Sequence, residues 1–215
     1  MNLTTSPAKT PTWPISIGAE GIAAAQFARC GFDVLMQVGR DKPWYDFAVT
    51  RAGNMLKVSV KASDDGRWNL AQGFGRRNSE PGTRTLDCRN AIDFWTDSQG
   101  SKTICCLVQF EDVAITQMPR IYLAYPAEIA TEMRLASERT GFCGLREQYE
   151  YTSAEGTREF SALPSRWRFS LERIQELLDR QAAPSIAGVF SKGPSSVAVS
   201  APLRLVKSGA VALTA

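Results

Sequence analysis

The stretch that most limits what this chain can fold into runs from Pro43 to Ser63, Pro-Trp-Tyr-Asp-Phe-Ala-Val-Thr-Arg-Ala-Gly-Asn-Met-Leu-Lys-Val-Ser-Val-Lys-Ala-Ser. Two alternating runs flank a Gly53-Asn54 turn signal, a pattern that predicts a β-hairpin. Side chains alternate faces along a strand. Tyr45, Phe47 and Val49 therefore line one face of the first strand, and Leu56, Val58 and Val60 do the same on its partner. Asp46 and Ala48 fall on the other face, with Lys57, Ser59 and Lys61. An acid and a lysine are thus presented together beside a thick apolar layer. Such a pair is either a solvated cross-strand ion pair or the start of a catalytic site.

What surrounds the hairpin narrows the chemistry. The 215 residues contain no histidine, which removes Ser-His-Asp and Cys-His catalysis and every imidazole metal site. The five cysteines form no Cys-x-x-Cys pair. Cys105 and Cys106 lie inside an apolar run and read as core, so any metal would be held by oxygen, which favours magnesium or manganese. A chain this long buries roughly 70% of its unfolded surface and needs no disulfide or metal to fold. Its net charge of +3 permits a polyanionic partner without demanding one. No apolar stretch approaches the ~20 residues that span a membrane. The first residues lack the apolar core of a secretory signal, so a reducing cytoplasm is the expected setting.

Taken in order, residues 1–15 read as a flexible arm, 16–182 as one domain and 183–215 as a low-complexity, poorly ordered tail. Ser16 is placed to cap a helix from about Ile17 to Cys30, with Glu20, Ala23, Ala24, Phe27 and Cys30 on one face. Glu20 is then either an acid at the edge of the buried stripe or a first-turn acid favoured by the helix dipole. Phe32–Val38 reads as a strand leading to the hairpin. Residues 62–90 interleave Arg67, Arg76, Arg77, Arg84 and Arg89 with Trp68 and Phe74. That mixture suits stacking on bases and pairing with phosphates, or else a surface loop with anchoring aromatics. Ala91–Thr96 is a short helical turn, Thr103–Phe110 a strand buried on both faces, and Arg120–Ala124 another strand. Pro126 opens a helix to about Ser137. Residues 138–165 are polar and unassigned. Ser170–Gln181 is a helix with Leu171, Ile174, Leu177 and Leu178 along one side.

A helix bearing an acid, a strand, a strand entered at Asp46 and a strand ending at Lys61 resembles the PD-(D/E)XK nuclease superfamily. The likeness is nearest to small Holliday-junction-resolvase and intron-endonuclease-like members. It is carried by Gly18-Ala19-Glu20-Gly21, Trp44-Tyr45-Asp46, Val58-Ser59-Val60-Lys61 and Ala91-Ile92-Asp93-Phe94-Trp95, and covers roughly residues 16–125. It implies an α/β restriction-endonuclease-like core, a mixed central sheet flanked by helices. It also implies divalent-metal-dependent hydrolysis of DNA, branched or structured forms included, with room for a homodimer. Asp46 would be the main ligand of Mg2+ or Mn2+, Glu20 would support the ion, and Val60 would lend its carbonyl. Lys61 would orient the attacking water and neutralise developing charge. Arg67, Trp68, Arg76 and Arg77 would hold nucleic acid. Ser59 departs from the pattern, because such nucleases carry Glu, Asp or Gln there. A nuclease fold that has lost catalysis and only binds nucleic acid is thus the alternative, and a protein-interaction module a third reading.

Overall fold

In the computed structural model, residues 12–37, 44–75, 87–100 and 102–182 are described. The chain begins with α1 (Thr12–Arg29), β1 (Asp33–Met36), β2 (Phe47–Arg51) and β3 (Asn54–Ser63). It continues with β4 (Arg67–Trp68), α2 (Gln72–Gly75), α3 (Cys88–Asp97), β5 (Thr103–Gln109), β6 (Arg120–Ala124) and α4 (Pro126–Thr140). Last come β7 (Leu145–Arg146), β8 (Gln148–Thr152), β9 (Arg158–Ala162), a 3-10 turn at Ser165–Trp167, and α5 (Leu171–Ala182).

The alternation that predicts a hairpin is realised as β2 and β3, with Phe47 opposite Val58 and Val49 opposite Leu56. The two residues between the strands are Ala52 and Gly53, at φ 51° and 80°. Positive φ at both positions is what a tight hairpin turn needs to match the strands' twist, and it costs a glycine little. The turn therefore sits one residue earlier than the Gly53-Asn54 signal, while the facing of the strands is as expected.

The main sheet has five strands in the order β1-β2-β3-β5-β6. β3 and β5 run parallel and the other neighbours antiparallel, so the sheet is mixed. β5 lies inside it and is buried at every position, which explains its continuous apolar sequence. Ile104, Cys106 and Val108 face a core closed by Ala19, Ala23 and Phe27 of α1 and by Ile174, Leu177 and Leu178 of α5. Cys105 and Leu107 face a second core closed by Ile92 and Trp95 of α3 and by Ile129, Ala130 and Met133 of α4. The result is a sheet between two helical layers. Phe27 anchors α1, meeting Phe32, Phe47 and Phe169 edge-on at 6.1, 5.9 and 5.1 Å, and truncating such a buried ring costs about 3–5 kcal/mol.

Several expectations need correction. α1 starts at Thr12, so Ser16 lies inside the helix rather than capping it, and the last residues assigned to the arm are helical. A proline in the first turn is tolerated because its missing N–H has no partner there anyway. Leu171 is 51% exposed, so the buried stripe of α5 is Ile174, Leu177 and Leu178. Residues 138–165 contain a strand that pairs with β4 and a separate β8–β9 hairpin. Cys88 and Cys143 are joined in a disulfide across 55 residues, whereas Cys105 and Cys106 are buried free thiols as expected. Residues 1–11 and the tail from 183 onward lie outside the described residues. No helix among the described residues is long and apolar enough to cross a membrane.

Candidate active site

β3 outruns its partner. Phe47, the first residue of β2, pairs with Val58, so among the described residues Ser59–Ser63 have no strand on that side. Asp46 stands at this point of parting. Its N–H donates to the Val58 carbonyl at 2.8 Å, and its Oδ2 accepts the N–H of Val60 at 2.7 Å. A charge-assisted bond of this kind contributes about 1.5–3 kcal/mol and fixes the carboxylate's direction. In a strand the N–H and C=O of one residue point to the same edge. The Val60 carbonyl therefore also looks toward the open side beside Asp46.

The gap opens into a cavity of about 860 Å³. Glu20, Asp46, Ser59, Val60 and Lys61 all line it, although Glu20 lies on a helix that packs on the opposite layer from α3. The short β2 makes this meeting possible, since among the described residues no strand separates Glu20 of α1 from the end of β3. Glu20 is half-buried beside the stripe Ala19, Ala23 and Phe27, which places it at the edge of the buried surface and past the first helical turn. Asp46 and Lys61 are half-buried as well, and Ser59 is 3% exposed. The far wall carries Trp95, Ser98 and Gln99 from the end of α3, and Phe74 from α2.

The end of β3 is held by a buried polar network. Gln109 is fully buried, and its amide donates to Ser63 Oγ at 3.1 Å. Ser63 Oγ in turn accepts the N–H of Arg67 at 3.0 Å. Gly66 turns the chain there at φ 74°, and a Cβ at that position would meet Glu111 Oε2 at 2.7 Å. This turn presents Asp64, Asp65 and Arg67 at the cavity rim, where Arg67 Nε lies 3.9 Å from Asp65 Oδ2. The sequence signal for Gln109 is a single amide in a strand of otherwise apolar character, since a buried amide requires partners. Trp44, Tyr45 and Phe74 also line the cavity. Tyr45 leaves the apolar face assigned to it, because β2 begins only at Phe47 and its ring lies 5.1 Å from Lys57 Nζ.

Of the residues expected to hold nucleic acid, Arg67 is exposed at the rim. Trp68 is not available for stacking: it is 2% exposed, meets Tyr122 edge-on, and donates its indole N–H to the Lys61 carbonyl at 2.9 Å. Its work is to pin the end of β3. Arg76 and Arg77 lie outside the described residues.

The donor set suits a hard cation only in part. Carboxylate and carbonyl oxygens are what magnesium and manganese take, and Asp46, Glu20 and the Val60 carbonyl provide them on one cavity. Among the described residues, however, no three of the His, Cys, Asp and Glu side chains gather as a metal-holding group. Cys105, level with Ser59 in the sheet, does not compensate. Burial pushes its thiol up to about 11, against the lowering effect of Lys61, so it stays protonated. Among the described residues the lining holds four carboxylates, Glu20, Asp46, Asp64 and Asp65, against the two cations Lys61 and Arg67. A phosphate approaching these described groups meets more acids than cations, an excess that a divalent cation would offset.

No protein-family model matches the chain, and no curated protein matches it. Among solved structures it is similar to a bacterial homing endonuclease, at 16% identity over 80% of this chain and 95% of that one, with a TM-score of 0.37.

Proposed function

We propose that the protein is a divalent-metal-dependent endonuclease that hydrolyses DNA phosphodiester bonds, built on a restriction-endonuclease-like core. The observation that carries this is the meeting of Glu20, Asp46 and Lys61, from three separate parts of the sequence, on one cavity where β2 and β3 part. Asp46, Glu20 and the Val60 carbonyl would hold the cation. When bound, Mg2+ or Mn2+ supplies Lewis-acid polarisation of the phosphate and offsets the excess of acids among the described lining residues. Asp46, oriented by the Val60 N–H, keeps its carboxylate fixed in direction rather than free to swing. Lys61 brings a positive charge to the attacking water and to the oxygens on which negative charge builds. Arg67 at the rim meets the neighbouring backbone phosphate.

Purified protein should nick or cut DNA with magnesium or manganese, and Asp46→Ala and Lys61→Ala should each lower the rate roughly a hundredfold or more. Activity unchanged in both variants would sink the proposal. A second reading has its own observation: Ser59 stands where the resemblance expects a carboxylate, and among the described residues no group of three His, Cys, Asp or Glu side chains gathers to hold a metal. It is a nuclease fold that binds nucleic acid without cutting, and it predicts salt-sensitive binding with no cleavage under any divalent cation.

A further inference from the structure

Trp44 is 67% exposed, whereas Trp68, Trp95 and Trp167 are 2%, 3% and 1% exposed. It lines the same cavity as Asp46 and Lys61, beside half-buried Tyr45. An indole left in water on the wall of a polar cavity offers a flat apolar face to whatever enters. Consecutive Cα atoms are 3.80 Å apart, so the Trp44 backbone lies within ~7.6 Å of that of Asp46, about the length of one nucleotide. A ligand with a phosphate at Asp46 and Lys61 thus has its neighbouring base within reach of Trp44. Away from its ends, a duplex leaves no base face free, whereas unpaired bases have faces to give and aromatic side chains hold them by stacking. The cavity's 860 Å³ is ample for one nucleotide, small-molecule sites running from ~300 to 1,000 Å³.

We propose that Trp44 stacks on an unpaired base next to the phosphate held at Asp46 and Lys61, making single-stranded DNA the preferred substrate class. The placement of that phosphate rests on the nuclease reading of the site. The test uses the full chain with calcium in place of magnesium, which keeps an oxygen-bound cation beside Asp46 and slows cutting, and compares a short oligothymidylate with a blunt-ended duplex of two fully complementary strands. Binding of the single strand should be tighter and should quench tryptophan fluorescence. Trp44→Ala should weaken single-strand binding roughly fivefold or more, with little change for the duplex. Trp44→Phe, which keeps an aromatic face, should retain most of the affinity and lose the quench. Unchanged single-strand affinity in Trp44→Ala, or tighter binding of the blunt duplex, would overturn the proposal. The two claims fail separately. Asp46-dependent cutting that ignores Trp44 removes this proposal alone, and Trp44-dependent single-strand binding by a protein that never cuts removes the nuclease alone.

Discussion

Ser59 is 3% exposed on β3, between Val58 of the apolar face and Val60, whose N–H holds Asp46. A hydroxyl is a neutral and shorter donor than a carboxylate, so under the nuclease proposal the cation would be held here by fewer charges. Ser59→Glu should raise magnesium affinity roughly tenfold, read as a larger rise in melting temperature per added magnesium. An unchanged response would place Ser59 away from the cation. Neighbouring residues were legible to different degrees. The acid and the lysine stood out because alternation alone puts them on one face. Trp68 misled because an Arg-Trp pair in a glycine-rich stretch looks the same whether its ring is buried or exposed. Its burial is decided by β7 and Tyr122, far along the chain.

At the level of elements, the short strand β4 and its partner β7 lead directly into Glu147, which braces the sheet's far edge. Glu147 takes Arg120 on both oxygens, at 2.6 and 2.8 Å, and accepts the Tyr122 hydroxyl at 2.5 Å. Burial works to raise its pKa, but the hydrogen bonds from Arg120 and Tyr122 outweigh burial and hold it below the usual carboxylate value. A depressed folded pKa contributes stability above the unfolded value, and that stability is lost as pH falls through the folded one. Glu147→Gln should therefore cost about 1–3 kcal/mol at neutral pH. The gap from wild type should narrow as pH falls below the unfolded carboxylate value of about 4.3, as followed by urea melts at several pH values. A gap that stayed constant with pH would contradict the ion-paired state. The disulfide from α3 to the segment after α4 gives a second element-scale prediction. Cys88→Ser should lower stability by about 2–4 kcal/mol against oxidised wild type and make no difference once both are reduced. None of this was readable beforehand. In residues 138–165 the only alternation is the short Tyr149/Tyr151 face of β8, and both strands are largely exposed, so the apolar period is too brief to mark them as strands. An odd number of cysteines without a close pair does not reveal a bridge across 55 residues.

For the molecule as a whole, the layered order was legible because each layer has its own sequence period. β5 is continuously apolar since it is covered on both faces, β2 and β3 alternate, and α1 and α5 repeat at helical spacing. What the sequence could not show is that β2 stops short, leaving β3 open to Glu20 on α1. That depends on where Asp46 turns back to grip Val60, a tertiary hydrogen bond rather than a local preference. The catalytic proposal stands on this opening and on the meeting of Glu20, Asp46 and Lys61 in the cavity behind it. The most direct test is a magnesium and manganese titration coupled to cleavage of single-stranded and duplex DNA, run on wild type, Asp46→Asn and Lys61→Ala. Asp46→Asn keeps an oxygen for the Val60 N–H, so it should melt close to wild type. The account predicts cleavage that rises with the divalent ion in wild type and is lost in both variants. Cutting that proceeds in a chelator, or that survives in folded Asp46→Asn, would contradict it.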